Sequence, residues 1–356
     1  MANSDLRSAL ILAGVAAVFC YLLCFLLYWA LLRANVVDRP NARSSHTSVT
    51  VRGGGIAIVV VWCGLMICYN ASQIGLWLLA VASLAVISFI DDWRSLPILL
   101  RLSCQIGVSL VVVGDLCRPL LSNIPVVGSN DGVISLAASA LAVLWLVGYT
   151  NAFNFMDGIN GISAGQTMAA GLGMGLLVGV TTGRWDAQPV VGSFILAGTA
   201  LGFLPHNFPK ARMFMGDVGS ATIGFILATL VLWLVQDCGW GMLIPLVLLH
   251  TNYILDTGIT LVRRVRAKAR WYEPHREHFY QRLVRAGKSH STVTLTEVAL
   301  QVVVFFMLLV YWEGGGVVRA GIVTGVLGIW TAYFMWAERC FQKSAPQAFS
   351  QSPIAR

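Results

Sequence analysis

Eleven runs of mainly apolar residues constrain this chain more than any other feature: approximately 9–32, 54–69, 76–90, 98–113, 133–149, 161–180, 189–204, 220–235, 241–261, 293–312 and 320–336. A helix that crosses the hydrocarbon core of a bilayer needs about 20 such residues, or roughly 17 where its neighbours adapt. The composition agrees, with 57% hydrophobic and 11% charged residues, against roughly 45–50% and about 25% in an ordinary soluble domain. A soluble globule could not hide that much apolar surface. The runs therefore predict an all-α polytopic membrane protein with about eleven transmembrane helices. The first run is too long for a removable leader and lacks a small-residue cleavage site, so a retained helix starting near Met1 is expected. No internal repeat or long soluble insertion interrupts the series. A single membrane domain is expected over 1–340, followed by a disordered tail over 341–356.

Orientation follows from the basic residues. An odd number of spans puts the termini on opposite sides, and the connecting segments then fall into two sets. One set, which includes Arg33, Arg52, Arg94, Arg101, Arg212, Arg282 and Lys343, holds 20 of the 24 Lys and Arg; the other holds Arg7, Arg118, Arg184 and Arg319. By the positive-inside rule the rich set is cytoplasmic, the N-terminus external and the C-terminus internal. The net charge of +8 is thus a topology signal. It does not predict a nucleic-acid partner, because no soluble module carries the basic residues. Six cysteines (Cys20, Cys24, Cys63, Cys68, Cys104, Cys340) lie in or beside apolar runs and read as packing residues. Cys117 and Cys238 fall in external loops, where a disulfide would need an oxidising compartment.

Five polar blocks stand out, and the topology fixed by charge alone puts every one of them on the cytoplasmic side: Asp38 to Gly55, Asp91 to Pro97, Asn151 to Gly161, Phe214 to Ser220 and His275 to Leu283. Asp91 and Asp92 follow an apolar helix, where desolvation and mutual repulsion make two ionised carboxylates costly without a cation. Arg94 could neutralise a solvated helix end instead. Asp217 sits between Gly216 and Gly219, in a turn where small residues let the backbone approach a ligand and a hard cation can take the carboxylate oxygen. The block NAFNFMDGING offers amide oxygens from Asn151 and Asn154, a carboxylate from Asp157, and exposed backbone N–H groups at Gly158 and Gly161. An Asn-rich turn capping the next helix through Asn160 would account for the same residues. Pro274 and Gly287 bracket a short surface helix on which His275, His278 and Arg282, spaced i, i+3, i+7, share one face. Such a face suits a phosphate or diphosphate, and equally anionic lipid headgroups.

In this order and on this side, the blocks resemble those of the polyprenyl-phosphate N-acetylaminosugar-1-phosphate transferases, the family of the undecaprenyl-phosphate GlcNAc-1-phosphate and phospho-N-acetylmuramoyl-pentapeptide transferases. The resemblance implies transfer of a sugar 1-phosphate from a UDP-N-acetylaminosugar to undecaprenyl phosphate at the cytoplasmic face of the bacterial inner membrane. Release of UMP would follow, with Mg²⁺ as cofactor and Mn²⁺ able to substitute. It implies Asp217 as a metal ligand with Asn154 beside it, and Asp91 and Asp92 as an essential pair near the attacking lipid phosphate, either of which could act as base. Direct attack and an aspartyl intermediate both fit. Gly158, Ile159 and Asn160 would line the uracil site with Asn207 and a stacking Phe214, and Arg52, Asn151 and Asp157 would also contact substrate. His275 would serve in catalysis, and with His278 and Arg282 would hold phosphates. A homodimer is compatible with the sequence.

Two departures from the family pattern stand out, the first in the shape of a loop and the second in the donor. The first loop reads VTVRGGG over Val49 to Gly55 where many relatives have PTPRGGG, and HREH stands where muramoyl-pentapeptide enzymes carry a three-histidine run. The second argues against a peptidoglycan precursor. It points to the enzymes that begin O-antigen or related surface polysaccharides with N-acetylglucosamine or a 6-deoxy sugar such as N-acetylfucosamine. A transporter or lipid flippase is the rival class, since Asn252 and Asp256 share a helix face inside the ninth run. Binding groups of a transporter belong near the midplane, whereas Asp256 lies about five residues from the cytoplasmic end, roughly 7 Å at 1.5 Å per residue.

Overall fold

The computed structural model describes residues 2–40, 49–70, 75–115, 132–270 and 275–350. The helices are α1 (Ala2–Arg33), α2 (Gly55–Asn70), α3 (Gly75–Arg94), α4 (Ile98–Asp115), α5 (Gly132–Met156), α6 (Ile162–Thr182), α7 (Gln188–Asn207) and α8 (Asp217–Cys238). A 3₁₀ turn at Trp240–Met242 leads to α9 (Leu243–Leu248), α10 (Thr251–Arg266), the short α11 (Phe279–Arg285), α12 (His290–Glu313) and α13 (Gly316–Ser350). All eleven apolar runs lie in these helices. By length and composition, nine helices among the described residues could cross a membrane, or ten if α9 and α10, bent by 69° where they meet, form one broken span. The second run forms only the 16-residue α2, which is too short to count among these spans.

α8 is the axis of the molecule. Its apolar window is wholly buried, whereas those of α1, α5 and α13 turn most of their residues outward, as lipid-facing helices do. α3, α5 and α2 pack along α8, and α1 and α6 along α7. Trp62, Trp77 and Trp233 stack edge to face at 4.9 and 5.0 Å, joining α2, α3 and α8 through their aromatic quadrupoles. At the other end, α2 and α8 touch backbone to backbone. A Cβ on Gly55 would come within 2.1 Å of the Gly219 Cα, so two glycines are required at that crossing.

The fold departs from all-α in one place. Strand β1 (Val37–Asp38) pairs antiparallel with β2 (Thr50–Arg52), which pairs parallel with β3 (Met213–Phe214). Strands this short leave no period in the sequence, yet they tie the RGGG segment to the FMGD turn. The last helix runs on to Ser350, past the expected start of the tail. Cys238 is free, and Cys117 lies outside the described residues, as do 41–48 of the first polar block and Pro274. Cys20 and Cys24 are buried in α1, as packing residues should be, but Cys68 is exposed.

Candidate active site

The described parts of all five polar blocks meet at one end of the bundle. Asp217 opens α8 after Gly216, whose φ of 76° and lack of a Cβ are both needed, since a Cβ would lie 2.6 Å from the Asp92 carboxylate. Gly216 therefore admits the protein's own Asp92 and Gly53. Asp92, in the last turn of α3, accepts from the backbone N–H groups of Asp217 at 2.8 Å and Val218 at 2.9 Å. A carboxylate at a helix N-terminus meets unpaired donors and the positive end of the helix dipole. Its side chain has 0% exposure and also receives Arg52 Nε at 2.7 Å. Asp92 is thus committed to structure and offers no open oxygen to a substrate.

Asp217 and Asp91 are placed otherwise. Arg52 Nη2 reaches Asp217 Oδ1 at 3.0 Å. Arg101 Nη1 reaches Asp91 Oδ2 at 2.7 Å and Asp217 Oδ2 at 3.6 Å. One guanidinium nitrogen therefore bridges the two carboxylates. Leu96 N holds the other Asp91 oxygen at 2.6 Å. The Asp217 side chain keeps 23% of its surface and Asp91 only 7%, which makes Asp217 the more open carboxylate. Asn154, in the last turn of α5, donates from Nδ2 to Asp217 Oδ1 at 3.1 Å and to Ser220 Oγ at 2.8 Å, so its own oxygen is left to offer. Burial works against the Arg52 cation, and the charges of Asp92, Asp217 and Asp38 more than restore it. Arg101 escaped the sequence reading as a site residue because it served there only as a topology charge.

The chain matches the glycosyl transferase family 4 model over residues 74–235. It is 32% identical over 325 residues to the decaprenyl-phosphate N-acetylglucosaminephosphotransferase of Mycobacterium tuberculosis, a match that spans 83% of this chain and 80% of that protein. The chain belongs to glycosyl transferase family 4. It is also 25% identical over 270 residues to the undecaprenyl-phosphate alpha-N-acetylglucosaminyl 1-phosphate transferase of Escherichia coli K12, spanning 72% of this chain and 71% of that one. With the phospho-N-acetylmuramoyl-pentapeptide-transferase of a Synechococcus strain it shares 34% identity over 220 residues, 56% of this chain and 61% of that one. The family 4 match takes in Asp91, Asp92, Asn154, Asp157, Asn207 and Asp217, and leaves Arg52 and the histidine segment outside it.

Around this family 4 core, several expected contact residues turn out to bind the protein itself. Asn207 is buried, accepts from Gly161 N at 2.6 Å and donates to the Met213 carbonyl at 2.9 Å, bracing the loop between α5 and α6 against β3. Asn160 donates to the Pro209 carbonyl at 3.0 Å, while Gly161, at φ 80°, occupies the N-cap of α6, so the capping expected of Asn160 is not made. Ile159 is buried, and Phe214 is half-buried in β3 with its backbone paired to Arg52. A Cβ on Gly158 would lie 2.2 Å from Tyr280 Oη, so that glycine seats Tyr280. Asn151 donates to Gln105 Oε1 at 2.6 Å. Asp157 is perturbed instead in its ionisation. Burial, then the nearby charges of Asp217 and Asp92, push its carboxyl up to about 7.

The histidine segment also differs from expectation. The helix begins at Phe279 with His278 as N-cap, and residues 275–277 precede it as irregular chain. His275, His278 and Arg282 therefore do not share a helix face. Arg282 turns toward α13, where Nη1 meets Glu338, Nε meets the Glu277 carbonyl at 3.1 Å, and the guanidinium lies over the Phe341 ring at 5.0 Å. His278 is buried and bonds Asp256 through Nδ1 at 2.9 Å. His275 is half-buried with an unpartnered Nδ1, and burial, with the neighbouring His278 and Arg264, lowers it to about 4. At neutral pH it is an uncharged donor or acceptor. Tyr280 Oη donates to the Phe155 carbonyl at 3.1 Å, which sets the segment beside the Asp157 loop.

Proposed function

We propose that this protein transfers an N-acetylaminosugar 1-phosphate from a UDP donor to undecaprenyl phosphate, releasing UMP, at the cytoplasmic face of a bacterial inner membrane. The observation that carries the reading is the convergence of Arg52, Asp91, Arg101, Asn154 and Asp217 from five different segments on one cluster at a membrane boundary, in a family 4 chain. Phosphoryl transfer asks a protein mainly to align the nucleophile with the leaving group and to neutralise charge. Two guanidiniums and two carboxylates, Asp217 the more open of them, suit that task at a bilayer edge. The acceptor, with its phosphate at headgroup depth and its prenyl chain in lipid, can reach such a site without leaving the membrane.

The donor set fits Mg²⁺. Asp217 and Asp91 offer hard oxygens within reach of one Arg101 nitrogen, and Asn154 adds an amide oxygen. Among the described residues no group of three His, Cys, Asp or Glu closes on an ion unaided. That suits a cation usually held by one or two carboxylates plus substrate phosphates. When bound, it would neutralise charge developing on the diphosphate. Arg52 and Arg101 would orient the phosphates by paired N–H donors. Asp157, whose carboxyl is pushed up to about 7 by burial, would be able to accept or give a proton near neutral pH. His275 would meet phosphate as a neutral hydrogen-bonding group.

For the sugar, the reading favours N-acetylglucosamine or a 6-deoxy N-acetylamino sugar such as N-acetylfucosamine, serving to begin an O-antigen or related surface polysaccharide. Two observations support it. HREH replaces a three-histidine run, and the muramoyl-pentapeptide relative matches 56% of the chain where the mycobacterial N-acetylglucosamine relative matches 83%. Purified protein given undecaprenyl phosphate and a panel of UDP-aminosugars should release UMP with one of these donors and not with UDP-muramoyl-pentapeptide. Turnover of the muramoyl donor alone would overturn the assignment.

A further inference from the structure

Asn252 and Asp256, the residues behind the transport reading, take no part in the transfer chemistry above, yet both are buried among protein partners. α9 and α10 meet at a 69° bend. A bend at membrane depth frees backbone carbonyls that no water can satisfy. Here the Leu249 carbonyl is met by two side-chain amides, Gln166 Nε2 at 3.2 Å and Gln301 Nε2 at 2.9 Å. Gln301 Nε2 also lies 2.9 Å from Asn252 Oδ1 and 2.8 Å from Gln166 Oε1. Asn252 Nδ2 donates to Gln166 Oε1 at 3.1 Å and to Glu297 Oε2 at 3.3 Å, and Tyr333 Oη donates to Glu297 Oε1 at 2.9 Å. All five side chains are buried. The bend is thereby fastened to α6, α12 and α13.

Asp256 lies one turn beyond Asn252, with 1% exposure. Its carboxylate accepts from Phe279 N at 2.9 and 3.1 Å, from Tyr280 N at 3.4 Å and from His278 Nδ1 at 2.9 Å. A helix as short as α11 cannot hold itself in water, and this one starts where another helix delivers an anion to its free N–H groups. The same contact fixes the His278 tautomer. With Nδ1–H given to the carboxylate, any contact the ring makes with substrate goes through Nε2. His275 packs against that ring with centroids 4.9 Å apart, so the orientation passes to both histidines.

We propose that Asp256 is a positioning residue for the transfer reaction, and that the amide network of Gln166, Asn252 and Gln301 holds the bend that brings it to the histidine segment. This rests on the transferase reading. The test uses the full-length protein in detergent, with turnover and with amide exchange followed by mass spectrometry over 276–284. Asp256→Ala should lower kcat by about 100-fold, the range for removing a residue that orients a functional histidine, and should speed exchange at Phe279 and Tyr280 without changing exchange in α8. Asp256→Asn keeps an oxygen for those N–H groups and should restore their protection, but should not restore turnover, because the charge held against the His278 ring is gone. The KM for the donor should stay within about threefold in both variants, since neither touches it. Gln301→Leu combined with Asp256→Ala should lose less than the product of the two single losses. Wild-type turnover in Asp256→Asn, or unchanged exchange in Asp256→Ala, overturns the proposal, and fully multiplicative losses overturn the role of the network. Absence of UMP release from the wild type would instead sink the transferase reading, and the exchange data would still decide whether Asp256 holds the segment.

Discussion

The carboxylate cluster and the histidine segment lie side by side, but they are built in opposite ways. In the cluster the charged residues hold one another, with Arg52 and Arg101 linking Asp91, Asp92 and Asp217 across four segments, and some oxygen surface is left open. In the histidine segment the charged residues are held from behind: His278 by Asp256, Arg282 by Glu338. The lesson is that a residue type alone does not tell a reactive group from an anchor. Asp92 and Arg282 look as reactive as Asp217 and Arg52 in sequence, but their partners commit them to structure.

The largest effect should come from the open side of the cluster. Asp217→Asn should lower kcat by about 10³-fold or more, roughly 4 kcal/mol of lost transition-state stabilisation, while the elution profile and thermal midpoint stay near wild type. Near-wild-type rates would show that the reacting centre lies elsewhere. Asp92→Ala should act differently. Losing the cap on α8 should cost about 1–2 kcal/mol of stability, visible as a lower thermal midpoint, with activity falling by about 10–100-fold as Asp217 loosens. Equal activity losses for Asp92 and Asp217, with no change in thermal midpoint, would erase the distinction between them.

On the other side, Arg282→Lys should change kcat and KM by less than about threefold, because an ammonium keeps the charge of the part-buried pair with Glu338 of α13. A tenfold rise in donor KM would return Arg282 to the diphosphate. The smallest effect concerns His275, whose value falls from 6.5 in the unfolded chain to about 4 in the fold. The unfolded chain therefore binds more protons as pH drops through that window, and stability should decline between about pH 6.5 and 4. His275→Gln should flatten that decline, as measured by thermal midpoints across the range.

The carboxylate cluster is legible in the sequence because polar residues at the ends of apolar runs are costly and conspicuous. Asp91, Asn154 and Asp217 are found where that logic sends them. Arg101 is not legible as a site residue, because a basic residue at the end of an apolar run already has an explanation as a topology charge. The histidine helix was misread for a different reason. Pro274, Gly287 and the spacing of the histidines argue locally for a helix over the whole segment, but its start is set by a carboxylate from α10, which is a tertiary fact. Gly158 and Asn207 carried the same ambiguity, since small and amide residues serve a ligand or a neighbouring loop equally well, and the fold gave them to Tyr280 and to Gly161 and Met213. The sheet joining Arg52 to Phe214 is too short to leave any pattern.

The proposed reaction requires Asp217 and Asp91 to work through a divalent cation on a UDP-linked donor. The direct measurement is UMP release by the purified protein from UDP-N-acetylglucosamine and its 6-deoxy analogues in the presence of undecaprenyl phosphate, before and after EDTA and again after Mg²⁺ is restored. The expected result is release that needs the lipid phosphate, vanishes with EDTA and returns with Mg²⁺. Undiminished release after thorough chelation would contradict the account.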